Sequence, residues 1–220
     1  MSDLNEQEQW ERAKQMLGEL WIYIVGGVAI GGAVLWGWGW NKDRIEKRAV
    51  EASARYEEVL EAFTRNDKTR GNQLVEELNR EYSATPYAAL ATLVAARTQV
   101  DANELDKAAA GLKTVMDTAI DPELRTIARL RLARVQSAQG KYDEALATLK
   151  VEDAGEFAPR IADIRGDVLL AKGDRAGALR EYLAARTGED KGQVDRELLD
   201  LKIRDLGGTP PKSLDEKTES

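Results

Sequence analysis

The sequence predicts an all-α protein: a single N-terminal transmembrane helix followed by a solenoid of helical hairpins. Three observations predict it. An uncharged run of 21 residues, Leu20 to Trp40, interrupts an otherwise polar chain. From Asn41 onward apolar residues recur at steps of three and four, the helical period. Two glycines, Gly140 and Gly173, stand 33 residues apart with small residues at matching offsets around each.

Composition narrows the function before any element is placed. The chain of 220 residues carries a formal charge of −7 and has neither cysteine nor histidine. A Ser-His-Asp triad, a cysteine nucleophile, a disulfide and an ordinary zinc site all need one or the other. No calcium-loop pattern of alternating acids around a glycine occurs, and no glycine-rich phosphate loop follows a strand pattern. The acidic residues read as solvated helix faces. No catalytic, cofactor-binding or metal-binding residue is therefore expected, and the chain is not read as an enzyme. A lack of cysteine suits a reducing and an oxidising compartment equally.

Residues 1–19 form a short polar tail, and residues 20–40 the membrane helix. At ~1.5 Å per residue the 21-residue run extends about 31 Å, the thickness of a bilayer's hydrocarbon core. Leu20, Trp21 and Tyr23 stand at one end and Trp36, Trp38 and Trp40 at the other, as amphipathic rings do at a membrane interface. A cleaved signal peptide would have a shorter apolar core ending in small residues, and an interfacial helix would show a charged face. Gly27 and Gly31, four apart, offer a small surface on which a second helix can pack in the bilayer. Arg12 and Lys14 precede the run, whereas Lys42, Arg44, Lys47, Arg48 and Arg55 follow it closely. By the positive-inside rule this bias favours a cytoplasmic C-terminal side, although a long domain translocates largely regardless of charge. The cluster from Lys42 to Arg48 reads as a membrane-proximal electrostatic contact.

Residues 41–206 form the repeat domain. Helices are expected at about Ile45 to Phe63 and Thr69 to Tyr82. One later helix carries Leu124, Ala128, Leu132 and Val135, and the next carries Tyr142, Ala145 or Leu146, and Leu149. The arrangement returns as Ile161, Ile164 and Val168, then Ala178, Tyr182 and Ala185. A glycine turn sits inside each pair. Ala145 and Ala178 lie five residues after Gly140 and Gly173, and Ala133 and Gly166 lie seven before them. The 33-residue spacing is close to the 34-residue tetratricopeptide period, and the small residues fall where paired helices must approach closely. A looser copy is centred on Asn103, followed by Ala108, Leu112 and Val115, with Asn taking the left-handed turn that Gly takes elsewhere. The fold class is thus a tetratricopeptide-like helical-repeat solenoid, whose stacked hairpins offer a surface to protein segments. A last helix at about Asp190 to Leu206 caps the stack, Gly207 and Gly208 stop it, and residues 207–220 read as a disordered tail. After residue 40 there are 30 basic and 34 acidic residues, a balance that argues against nucleic acid.

These blocks resemble the YfgM family, the ancillary subunit of the SecYEG translocon in Gram-negative bacteria. The resemblance rests on NELDKAAAGL at 103–112, LRLARVQSAQGKYDEALATL at 130–149, IADIRGDVLLAKGDRAGALREY at 161–182 and LDLKIRDL near the C-terminus. It covers roughly residues 10 to 206, and the tail beyond Leu206 departs from the pattern. The resemblance implies an inner-membrane protein with a cytoplasmic N-terminus and a periplasmic repeat domain. It also implies association with the SecYEG translocon and with a membrane-anchored periplasmic chaperone of the PpiD type, and protein clients newly delivered to the envelope. The lipid bilayer is the remaining partner. The alternative left by the charge bias is a cytoplasm-facing scaffold for another membrane complex.

Overall fold

The computed structural model describes residues 44–188 and 194–211, together with Val25 and Gly31. It divides into two compact units, residues 1–51 and 52–220. In the first, the described residues Val25, Gly31 and 44–51 are helical and mostly exposed. Among the described residues no helix is long and apolar enough to cross a membrane. The uncharged segment 20–40, with Leu20, Trp21, Tyr23, Gly27, Trp36, Trp38 and Trp40, otherwise lies outside them.

The second unit contains only helices and turns among its described residues. Residues 52–64 belong to the first helix, α1. Then come α2 (Lys68–Glu81), α3 (Pro86–Asp101), α4 (Leu105–Thr118), α5 (Pro122–Ala138) and α6 (Tyr142–Thr148). A short 3-10 turn, Gly155–Phe157, precedes α7 (Ala158–Lys172), α8 (Arg175–Thr187) and α9 (Arg196–Asp205).

One local device builds every hairpin. A residue with positive φ follows α1, α3, α5, α7 and α9: Asn66 (61°), Asn103 (59°), Gly140 (75°), Gly173 (95°) and Gly207 (80°). In all five the next residue donates its N–H to the carbonyl five positions back: Asp67 to Ala62, Glu104 to Gln99, Lys141 to Gln136, Asp174 to Leu169 and Gly208 to Ile203, at 2.8–2.9 Å. This bond satisfies a carbonyl that the end of a helix would otherwise orphan. Four of the five closing residues also open the following helix. Asp67 and Asp174 do so with their carboxylates, which accept from Arg70 N–H at 3.0 Å and Gly177 N–H at 2.8 Å. Prolines start α3, α5 and α7 within their first two positions, where a missing N–H costs nothing.

The core is a chain of four clusters, each built around one even-numbered helix held between two odd-numbered ones. Leu74 and Leu78 of α2 pack with Val59 of α1 and Ala91 and Ala95 of α3. Leu112 of α4 packs between Leu93 of α3 and Leu132 of α5. Ala145 and Leu149 lie between Leu130 and Ala133 of α5 and Ile164 of α7. Tyr182 of α8 lies against Ala162 of α7 and Leu199 and Ile203 of α9. Trimming a fully buried leucine such as Leu112 to Ala removes roughly 2–5 kcal/mol.

The odd helices therefore bury two faces, which changes one sequence expectation. Leu124, Ala128, Leu132 and Val135 form one stripe of α5, but it packs backward onto α3 and α4; Leu130 and Ala133 meet α6 and α7. The last helix also differs from its expected start near Asp190. Val194 and Asp195 are not helical, because Asp195 turns its carboxylate onto Leu198 N–H at 3.0 Å and α9 begins after it. Gly207 and Gly208 form the closing turn of α9, where the sequence places the helix stop, and position 208 lies against Leu179. Residues 212–220 lie outside the described residues.

A candidate protein-interaction groove

Of the residues singled out by repeat spacing, the turn residues Asn103, Gly140 and Gly173 are exposed, whereas the others are buried. Ala108, Ala145 and Ala178, each five residues after a left-handed turn, have no exposed surface; Gly71 stands at the same offset after Asn66 and is buried too. Seven residues before the turns come Val59, Ala96, Ala133 and Gly166, all buried. These positions need small side chains because the paired helices approach there. Leu132, Tyr182 and Ala185 are 3%, 0% and 2% exposed. Of the two glycines among them, Gly166 carries the closer approach, against the Tyr182 ring. Of the anchor residues, only Gly31 lies within the described chain.

A groove of about 530 Å³ opens beside α3 and α5, within the size range of ligand sites. Its floor is apolar, made by Ala96, Leu112 and Val135, all of them core residues. Val100, 37% exposed, adds an apolar wall on α3. The other walls are charged: Arg97 and Asp101 from α3, and Arg131 and Arg134 from α5.

The three arginines differ in what they already hold. The Arg97 Nε lies 3.1 Å from both carboxylate oxygens of Asp101, one turn on. Arg131 donates to the Leu93 carbonyl at 3.3 Å, a neutral partner that leaves its charge uncompensated. Arg134 has neither a hydrogen bond nor an ion pair among the described residues. Although exposed overall, it is partly desolvated, and that pulls its pKa below the ordinary arginine value. The like charge of Arg160 acts in the same direction, opposed by Asp163 and Asp167. It remains a cation at any physiological pH.

On α7 the charges are spoken for. Lys202 of α9 reaches Asp163 Oδ1 at 2.7 Å and Asp167 Oδ1 at 2.6 Å, and lies 5.1 Å from the centroid of the Tyr182 ring. The Tyr182 hydroxyl donates to the same Asp167 oxygen at 2.8 Å. Arg160 stands 3.4 Å from the other Asp163 oxygen. Burial, reinforced by the bond to Asp167, pushes the Tyr182 hydroxyl far above its usual pKa. Asp163 is only 5% exposed, so this closed network is a structural lock joining α7, α8 and α9. Repeat spacing did not reveal the groove arginines, since periodicity marks apolar faces and says nothing of which exposed charge lacks a partner. No group of acidic side chains suited to a metal occurs among the described residues.

Comparison with known proteins fits this architecture. A family model described as a tetratricopeptide repeat-like domain matches residues 14–208. An ancillary SecYEG translocon subunit from Escherichia coli (strain K12) is 36% identical over 203 residues, covering 92% of this chain and 97% of its own. The same-named protein of Aggregatibacter actinomycetemcomitans is 30% identical, covering 92% and 98%. That of Neisseria gonorrhoeae is 33% identical, covering 75% and 79%. No solved structure gives a significant match to the chain. A repeat-domain match and full-length likeness to these relatives meet on one conclusion: the chain belongs to the tetratricopeptide repeat-like family of ancillary SecYEG translocon subunits.

Proposed function

We propose that this protein is a single-pass scaffold of the inner membrane that works beside the Sec translocon. Residues 1–19 lie in the cytoplasm, residues 20–40 span the bilayer, and the hairpin array lies in the periplasm. There it holds newly translocated envelope proteins near a membrane-anchored chaperone of the PpiD type. The observation that carries this reading is the match to relatives named for the translocon, which spans 92% of this chain. The uncharged stretch 20–40, with tryptophans toward its ends, supplies the attachment. An open groove on a chain without a histidine or cysteine suits holding rather than chemistry.

The test is purification of the full chain in a mild detergent. SecY, SecE and SecG should copurify with it, and their absence with an intact anchor would refute the translocon reading. A cytoplasm-facing scaffold for another membrane complex is the second reading, favoured by the basic residues Lys42, Arg44, Lys47 and Arg48 just after the apolar run. Alkaline phosphatase fused after Ser220 separates the two, being active only if the repeat domain is periplasmic.

A further inference from the structure

From the groove on α3 and α5 we infer that this protein binds an extended acidic peptide segment, its side-chain carboxylates on Arg131 and Arg134 and an aliphatic residue against the exposed Val100 wall. The inference deepens the scaffold reading by naming the chemistry of the bound segment, and it rests on that reading for its biological setting only.

Charge bookkeeping along the helix faces supports it. The domain after residue 40 is acidic, with 34 acidic against 30 basic residues. Its carboxylates on α7 are nevertheless satisfied from within, Asp163 and Asp167 by Lys202 and Arg160. Arg97 is answered by Asp101. What remains on the groove wall is a pair of guanidinium groups, Arg131 and Arg134, with no carboxylate in contact among the described residues. Three residues apart on one helix, they lie on neighbouring parts of the same face. Each presents a planar fork that fits a carboxylate with two parallel hydrogen bonds.

The apolar lining decides between kinds of anion. A free phosphate or an isolated lipid headgroup would use the arginines and leave Val100, the exposed apolar residue of the groove, wet. A peptide with alternating acidic and aliphatic side chains uses both, and a cavity of about 530 Å³ admits a few side chains at most. The partial desolvation already present at Arg134 strengthens a charge-assisted bond made there.

The experiment measures fluorescence anisotropy of a labelled peptide, Ser-Asp-Leu-Glu-Val-Glu-Ser with both ends blocked, against the full chain in detergent micelles. Saturable binding that weakens with added salt is expected. Arg131→Gln and Arg134→Gln should each weaken it about tenfold, whereas Arg180→Gln, on α8 and away from the groove, should leave it unchanged. A peptide with Asn and Gln replacing the acids, or Gly replacing Leu and Val, should bind at least tenfold more weakly. The inference is overturned if the wild-type chain does not bind, if the amide peptide binds equally well, or if the two arginine variants bind like wild type. It is also overturned if those variants change only binding to phosphatidylglycerol vesicles, or only self-association of the chain. Circular dichroism melts of each variant exclude misfolding. Copurification with SecY tests the translocon reading separately, so loss of one result does not imply loss of the other.

Discussion

A Cβ added to Gly166 would collide with Cε1 of Tyr182. The ring cannot easily give way, since its hydroxyl is fixed to Asp167 at 2.8 Å and the side chain has no exposed surface. The smallest residue on α7 and the largest fully buried one on α8 thus define how closely the two helices pack. Gly166→Ala should destabilise the domain by about 1–3 kcal/mol, and Gly166→Leu by at least as much. Ala178→Leu, at another position with no exposed surface, should overpack the same hairpin. Urea unfolding midpoints measure all three, and unchanged midpoints would mean that the hairpin packs differently.

Position 71 makes an instructive contrast. A Cβ there would stand 2.7 Å from Cε1 of Phe63, but that ring is only half-buried and has no hydroxyl to tether it. Gly71→Ala should therefore cost less than Gly166→Ala in the same urea titration. Equal losses would show that ring anchoring is not what sets the penalty.

The Lys202 lock and the surface pair Lys172–Asp143 should respond very differently to loss of the lysine. Asp143 is 84% exposed, so Lys172→Met should change stability by less than about 0.5 kcal/mol. Lys202→Met leaves Asp163 nearly buried with only Arg160 beside it. A loss of roughly 2 kcal/mol is expected, between the values for surface and fully buried pairs. Differential unfolding of the two variants checks this.

Tyr182 gives the fold an alkaline limit. Its folded pKa is raised above the ordinary value of 10.0. The unfolded chain therefore loses this proton first as pH rises, and the folded chain keeps it. The stabilisation is fully present below pH 10 and falls above it, by up to about 1.4 kcal/mol per pH unit from this group. Tyr182→Phe should lower stability at neutral pH yet flatten the decline above pH 10. Guanidinium titrations at pH 8, 10 and 11 on both proteins measure the two slopes, and parallel slopes would rule the assignment out.

Asn103 occupies a left-handed turn at φ 59°, where a Cβ without a polar side chain costs about 1–2 kcal/mol. Asn103→Ala should lower stability by about 1 kcal/mol, while Asn103→Gly should be neutral or slightly favourable. Thermal melts of both variants suffice, and a neutral Ala variant would contradict the turn geometry.

Sequence made some of these features readable and hid others for physical reasons. Gly140 and Gly173 stand out because glycine is the cheapest left-handed residue, and Asn103 because an alanine-rich helix follows it. Asn66 carries the same turn but sits among Arg65, Asp67 and Lys68, where nothing apolar marks its register. The five turns are spaced by 37, 37, 33 and 34 residues, an irregularity that the 37-residue step from Asn103 to Gly140 already shows in the sequence. A stripe such as Leu124, Ala128, Leu132 and Val135 shows that one face is buried, but not against which neighbour. The groove was the least legible, because Arg131 and Arg134 differ from Arg97 only in lacking a carboxylate. Likewise, the partner of Asp163 is a lysine 39 residues away.

The residue after each left-handed turn closes one helix and, in four of the five, begins the next, so the paired helices share a joint with no slack. The links from one pair to the next vary more: among those fully described they run to four, three and nine residues, at 82–85, 119–121 and 149–157. Length can therefore drift between modules and not within them. A reporter loop grafted into the 149–157 link should preserve the far-ultraviolet spectrum and melting profile, whereas one grafted beside Gly140 should fray two helices together. Evolution and the protein engineer have the same seams available for cutting.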